Sequence, residues 1–161
     1  MAVTSSMEST DAELVRSVYD ELRRFAAVVA PWDFDPDDVL HAVLVSVLQK
    51  RSLVSVAKPV AYLQAAIVNH VRSEIRRKQT GRRLVDLLSR EHAAVNAPDY
   101  PSDLADLMGL QPVERAVLYL HDIEGMTFEE VADAIGISAG NARVTASRAR
   151  RSLKKLLEGE R

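Results

Sequence analysis

Side chains able to do covalent chemistry are few and isolated. There is no cysteine, which removes a thiol nucleophile, a thiolate zinc site and a disulfide framework. Four histidines, His41, His70, His92 and His121, stand singly, with no HExxH pair for a metal and no GxSxG elbow to present a serine. The acid pairs Asp37-Asp38 and Glu129-Glu130 fall where helices should begin, and the positive end of the helix dipole accounts for them. Six glycines, among them Gly136 and Gly140, form no phosphate cradle. No catalytic residue, metal or cofactor is expected, and the chain reads as a non-enzyme. What remains is the chemistry of charge and hydrogen bonding. Ser138, Asn141, Arg143, Ser147, Arg148, Arg150, Arg151, Lys154 and Lys155 are strung along one helix-length stretch, a set suited to a polyanion.

The charge of the whole chain points the same way. Its net value of −2 hides an alternation. Residues 1–40 hold three basic against nine acidic side chains, and residues 41–90 hold ten against two. Residues 91–140 swing back to one against ten, and the end of the chain to seven against two. Two basic blocks separated by acidic ones fit two anion-binding surfaces, although solvated helix faces would give the same alternation. At 161 residues and 47% hydrophobic content the chain is large enough for one domain or two small ones. No apolar run approaches the roughly 20 residues that cross a bilayer. The polar start, Met1 to Thr10, lacks the pattern of a signal peptide. No membrane insertion is expected, and the expected location is the cytoplasm.

The elements that must position these groups are helical. Thr10 and Glu13 form a capping box ahead of Leu14, Val15, Val18, Leu22, Phe25 and Val29, which recur at helical spacing. Asp35 caps a second helix with Pro36 at its first position and a stripe of Val39, Leu40, Val43, Leu44, Val47 and Leu48. After a loop, Pro59 opens a third, with Leu63, Ile67, Val71 and Ile75 inward. A basic run from Arg76 to Arg83 follows, then Leu84, Val85, Leu87 and Leu88 as a possible short continuation. The prediction is an all-α protein of two small helical domains joined by a linker. Residues 1–9 are expected as a flexible tail, 10–83 as the first domain, 84–106 as an acidic linker and 107–158 as the second domain.

The second domain carries the more specific pattern. Pro112 starts a helix that Gly125 stops, Thr127 caps the next, and Gly136 permits a tight left-handed turn. Ile137 plugs the angle and Ser138 caps a basic last helix. Helix, glycine turn and basic helix at this spacing is a helix-turn-helix, whose second helix enters the DNA major groove. Asn141, Arg143 and Ser147 lie in its first turns, within reach of base edges. Arg148, Arg150 and Arg151 lie further along and suit phosphates.

These residues resemble region 4 of a bacterial RNA polymerase sigma factor of the extracytoplasmic-function (ECF) type, in the sigma-70 family. Glu124-Gly125-Met126-Thr127-Phe128-Glu129-Glu130-Val131-Ala132 is similar to the family's EGLSYEEIA, and Ile137 to Arg143 to its ISVGTVK. Ser147-Arg148-Ala149-Arg150 is similar to its HRAR. Asp35 to Val43 resembles DAEDLVQEV, and Pro59 to Asn69 resembles PRAWLYRIARN, so both halves match in the family's order. The pattern departs at Leu44, Gln64, Val68, Val144 and Thr145, where the family often has phenylalanine, an aromatic, arginine, serine and arginine.

The resemblance implies that the chain binds core RNA polymerase, through the β′ clamp helices and the β flap, and promoter DNA. Ser138, Asn141, Arg143, Val144, Ser147, Arg148 and Arg151 would contact the −35 duplex. Opening ten base-pair steps costs on the order of 14 kcal/mol of stacking. With no nucleotide-hydrolysis motif, that cost must be met by binding. Ser55, in a candidate base-holding loop from Ser52 to Ala57, and Asn69, Arg72, Arg76 and Arg77 are the expected −10 contacts. Asp37, Asp38, His41, Leu44 and Gln49 are the expected polymerase contacts, and Glu91, Asp99, Asp103 and Asp106 make the linker acidic. An anti-sigma factor is a possible further partner. The competing reading is a helix-turn-helix regulator that never engages polymerase.

Overall fold

In the computed structural model, residues 2–88 and 107–159 are described, with side chains described for 10–84 and 107–159. Among the described residues the helices named here are α1 (Ala2–Val29), α2 (Pro36–Leu48), α3 (Pro59–Leu88), α4 (Pro112–Leu118), α5 (Phe128–Ile135) and α6 (Ala139–Leu157). A short 3-10 turn, Leu53–Ser55, precedes α3, and α4 widens into a π turn over Tyr119–Ile123. No strand occurs among the described residues, as the helical spacing requires.

The first three helices pack by the stripes read from the sequence. Leu22, Phe25, Ala26 and Val29 of α1 are buried against Leu40, Val43 and Val47 of α2 and Leu63, Ile67 and Val71 of α3. Asp35 caps α2 by accepting from the Asp37 amide at 2.8 Å, with Pro36 at the first helical position. Leu48, expected inward, is instead 40% exposed, because the helix has turned it off the stripe that Val47 ends.

Two boundaries differ from expectation. Residues 2–9, expected as a tail, are the first turns of α1; no proline or glycine precedes Pro31 to stop a helix at Thr10. Residues 84–88, expected in the linker, continue α3 without interruption. Gly81 sits inside that helix, a cost of about 1 kcal/mol that good helix formers on either side absorb. The rest of the linker, residues 89–106, and with it Glu91, His92, Asp99, Asp103 and Asp106, lies outside the described residues.

The second half folds α4 to α6 around Ala116, Val117, Leu120, Val131, Ile135, Ala142 and Ala146. A smaller group, Leu110, Leu118 and Ala149, with Leu107, Leu153 and Leu156 beside it, seats the C-terminal half of α6. The halves are not held apart. Helix α1 packs on α4 and α3 packs on α5, and the buried side chains of both halves form one continuous cluster. The rings of Phe25 and Tyr119 meet across the seam with centroids 6.0 Å apart.

Candidate nucleic-acid interface

Local capping builds the helix-turn-helix. Thr127 accepts from the Glu130 amide at 3.2 Å while the Glu130 carboxylate accepts from the Thr127 amide at 2.7 Å. Those bonds, from the Thr127 backbone first, hold the Glu130 carboxyl below its usual range. Helix α5 ends at Gly136 with φ 70°, the left-handed conformation that glycine reaches without a Cβ clash. Ser138 restarts the chain as α6 by accepting from the Asn141 amide at 3.1 Å.

Small residues decide which way α6 faces. Ala142, Ala146 and Ala149 are fully buried, so the helix lies close on its neighbours by one narrow face. At 3.6 residues per turn the opposite face is then Gly140, Val144, Ser147, Arg148, Arg151, Lys154 and Lys155. Asn141, Val144, Ser147, Arg148 and Arg151 are all exposed. Val144 is 50% exposed in the middle of this polar surface.

Two arginines are turned onto the flank of α6 and tied down. Arg143 pairs with Glu129 of α5 through its Nη2, and its guanidinium lies 5.6 Å from the centre of the Phe128 ring. Arg150 forks onto Asp122, with Nε donating to Oδ2 at 3.1 Å and Nη2 to Oδ1. That bond raises the Arg150 pKa further. Beneath them His121 donates from Nδ1 to the Met126 carbonyl at 2.7 Å and stacks on Phe128 at 4.0 Å. Four of the −35 candidates on α6 (Val144, Ser147, Arg148 and Arg151) thus share its outer face. Asn141 borders that face, Arg143 flanks it, and Ser138 acts as the cap.

On α3 the structure sorts the −10 candidates similarly. Asn69, Arg72 and Arg76, spaced i, i+3 and i+7, are exposed on one face, away from buried Ile67 and Val71. Arg77 departs from this row and pairs with Glu74 at 3.1 Å. Beside Asn69 a cleft of about 340 Å³ opens between α2 and α3, lined by Ser46, Lys50, Tyr62, Asn69, His70 and Ser73. Ser55 is exposed in its turn and donates to the Ser52 carbonyl at 2.7 Å. The loop is anchored to α1 by Asp11, whose Oδ1 accepts from Ser52 Oγ at 2.9 Å and from the Val54 amide at 3.0 Å.

The expected polymerase contacts divide three ways. Asp38, His41 and Gln49 are exposed on α2 or at its end. Asp37 is engaged inside the protein: Arg23 donates to it at 2.8 and 3.1 Å and Tyr19 at 3.0 Å. The Arg23 bond and then the Tyr19 bond hold its carboxyl below the usual range. Leu44, at 7% exposure, is a core residue and not a surface contact, because the stripe through Leu40, Val43 and Val47 includes it. Sequence reasoning missed Val45, 57% exposed, which with Leu48 forms an apolar pair on the outer face beside His41 and Gln49. Part of the signal was available: positions 41 and 45 fall off the inner stripe, and Val45 is apolar.

Among the described residues no group of three or more histidines and acids is placed to hold a metal ion. No described helix is long and apolar enough to cross a membrane.

Comparison with known proteins agrees with this geometry. Residues 107–153 match the family Sigma-70, region 4, a span that contains the helix-turn-helix. The chain is 30% identical over 131 residues to RNA polymerase sigma factor CarQ of Myxococcus xanthus, covering 75% of this chain and 74% of that one. It is 30% identical over 154 residues to the RNA polymerase sigma-E factor of Streptomyces avermitilis, covering 91% and 84%. In fold it is similar to the sigma factor RpoE of Bartonella quintana, solved with the anti-sigma factor NepR. That likeness has a TM-score of 0.69 at 23% identity, over 93% of this chain and 98% of that one. A second likeness is to CnrH, solved with the cytosolic domain of CnrY, at TM-score 0.60 and 22% identity.

Proposed function

We propose a division of labour along the chain from one premise: this chain belongs to the RNA polymerase sigma factors of the ECF type, in the sigma-70 family. As a sigma factor it binds core RNA polymerase and directs promoter-specific initiation. Its second half reads −35 DNA as duplex and its first half engages −10 DNA. The observation that carries the reading is α6: a Ser138-capped helix after the Gly136 turn, alanine inside and Val144, Ser147, Arg148 and Arg151 outside, within the segment that matches region 4.

Roles follow from the chemistry of each surface. Asn141, Arg143, Val144 and Ser147 lie in the first turns of α6, at the depth of base edges, while Arg148 and Arg151 meet phosphates and set the register. Asn69, Arg72 and Arg76 form the −10 row, with the cleft of about 340 Å³ beside Asn69, lined by polar groups and by Val43, Val47 and Ala66, as the place for an unstacked base. Arg77 contributes charge from the side. Asp38, His41, Val45, Leu48 and Gln49 present to polymerase an apolar pair ringed by polar groups, a usual composition for an interface centre. Asp37 shapes that surface from behind. By analogy with the two solved complexes its regulator is an anti-sigma factor, and the site of action is the cytoplasm, where the polymerase works.

The test is gel filtration of this protein with sigma-free bacterial core RNA polymerase. Co-elution at one-to-one stoichiometry is the expected result. Separate elution, with duplex DNA still shifted, would transfer the helix-turn-helix to a regulator that acts without polymerase.

A further inference from the structure

The turn between α2 and α3 is fastened to α1 by one carboxylate. Leu53 is fully buried and seats the turn on the core. On either side of it, Ser52 Oγ and the Val54 amide both donate to Asp11 Oδ1, at 2.9 and 3.0 Å. A carboxylate oxygen has two lone pairs, and here each has its donor. One buried side chain fixes the place of a turn but leaves it free to swivel; two bonds that bracket that side chain fix its orientation as well. A cleft of about 460 Å³ between α1 and the turn, lined by Leu14, Ser17, Val54 and Val56, leaves room on that side, so packing alone does not stop the swivel. In the orientation that Asp11 holds, Val54 is 52% exposed and Ser55 is exposed beside it.

The same turn lies at the end of the −10 row. Tyr62, Asn69 and Arg76 follow one another at intervals of seven residues, so they share a face of α3, with Arg72 beside them. Tyr62 stands about 10 Å along the helix axis from Asn69 and borders the same cleft. Arg51, which leads into the turn, has its guanidinium 5.3 Å from the centre of the Tyr62 ring. A strand followed from Arg76 through Arg72 and Asn69 therefore passes Tyr62 and Arg51 before it meets Val54 and Ser55. There an aliphatic side chain and a hydroxyl are offered to a base, and Arg51 to its phosphate. An acid beside such a strand repels it. The two donors that Asp11 binds give a reason for a carboxylate at this place.

We propose that Asp11 is a positioning residue for −10 recognition: it holds the Ser52–Ala57 turn in the orientation that presents Val54 and Ser55 to an unpaired base, and does not itself touch DNA. This rests on the sigma-factor reading. If a turn released from Asp11 keeps that orientation about one time in ten, affinity for the strand carrying the preferred base falls about tenfold. The phosphate-borne share of binding stays, because Arg72 and Arg76 are untouched.

The experiment uses holoenzyme assembled from the full chain and bacterial core RNA polymerase. The parent holoenzyme selects a non-template strand from a randomised pool, and each position of that strand is then changed singly. Competition at fixed salt gives the base preference position by position, and Asn69→Ala and Ser55→Ala identify the positions read by α3 and by the turn. Asp11→Ala should bind the selected strand about tenfold more weakly, with the preference lost where Ser55→Ala loses it and kept where Asn69→Ala loses it. Its salt dependence should match the parent's. Ser52→Ala, which removes one of the two donors, should give a smaller loss at the same position. Asp11→Asn keeps an acceptor oxygen and should restore the preference, which a general loosening of the fold would not allow. Unchanged preference in Asp11→Ala, equal loss at every position, or an Asp11→Asn protein that behaves like Asp11→Ala would each overturn the role of Asp11 and leave the sigma reading standing. A parent that selects no strand with polymerase would overturn the sigma reading, and this role with it.

Discussion

Arg143 at the head of the recognition helix is paired with Glu129 of the helix before it, and its guanidinium lies over the ring of Phe128, 5.6 Å from the centre. Both partners are exposed, and a surface pair of this kind contributes about 0–1 kcal/mol to stability. Its consequence is positional. The carboxylate holds the guanidinium on the flank of α6, so a phosphate or a guanine edge must compete with Glu129 for the same fork.

Arg143→Ala is accordingly expected to weaken binding to a matched −35 duplex by about 1–3 kcal/mol, with a smaller loss on scrambled duplex. Glu129→Gln should lower the thermal midpoint by no more than about 4 °C and raise affinity for both duplexes, since an acid leaves the DNA face. Fluorescence anisotropy with the two duplexes at fixed salt checks both. Equal loss on matched and scrambled DNA would make Arg143 a phosphate contact only.

Val144 is the one exposed aliphatic side chain on the outer face of α6, and its chemistry matches a thymine methyl in the major groove. Replacing the contacted thymine by uracil removes one methyl group and should cost about 0.8 kcal/mol of binding. In Val144→Ala the thymine–uracil difference should vanish. A scan of single uracil substitutions through a −35 duplex selected by this protein locates the base. No position sensitive to uracil in the parent protein would leave Val144 without a base partner.

Most of the secondary structure was legible because its signals are local: Asp35-Pro36, Thr127 with Glu130, Gly136 and Ser138 all cap or turn where they were read. Orientation around each helix was less legible. The periodicity of α2 put Leu44 inside, yet family resemblance put it in the polymerase surface, and burial decides for the core. Arg77 and Arg143 carry the expected charge but were diverted by acids, three positions away for Arg77 and fourteen for Arg143, a matter of side-chain reach that spacing does not encode. The seam was invisible in the sequence. Arg115 bonds residues more than eighty positions away, and a lone arginine in an otherwise acidic stretch gives no sign that it is buried.

The outer face of α2 gives a third prediction. Val45→Asp and Leu48→Asp should each abolish co-elution with core polymerase while leaving the thermal midpoint nearly unchanged, since both side chains are exposed. Leu44→Ala should do the reverse, destabilising the protein by about 2–5 kcal/mol through a core cavity. Residual polymerase binding by folded Leu44→Ala is expected. Normal binding by Val45→Asp and Leu48→Asp would move the polymerase surface elsewhere.

Asp37 makes the joint between α1 and α2 sensitive to acid. Its folded pKa is depressed by the Arg23 and Tyr19 bonds, so its contribution is present above the unfolded value and lost as pH falls through the folded one. The window therefore lies below about pH 4, the ordinary carboxylate range. Urea midpoints should fall from pH 5 to pH 3, and more shallowly in Asp37→Asn. Parallel slopes in the two proteins would remove Asp37 from the acid response.

Glu124 acts in the opposite sense at the seam. Burial, and then the charge of Glu21 across the seam, raise its folded pKa; the Tyr119 hydroxyl bond and Arg24 oppose them without reversing the shift. A carboxyl with a raised folded pKa contributes stability that is present below its unfolded value and lost as pH rises through the folded one. The contact between the halves should therefore be firmest on the acid side and weaken as pH rises from about 4 through the shifted titration, while the Asp37 joint is still intact at the upper end of that range. Glu124→Gln keeps the shape without the charge. Its urea midpoint at neutral pH should lie above the parent's, and it should lack the parent's gain on acidification toward pH 5. If the parent and Glu124→Gln follow the same pH curve, the charges of Glu21 and Glu124 do not strain the contact between the halves.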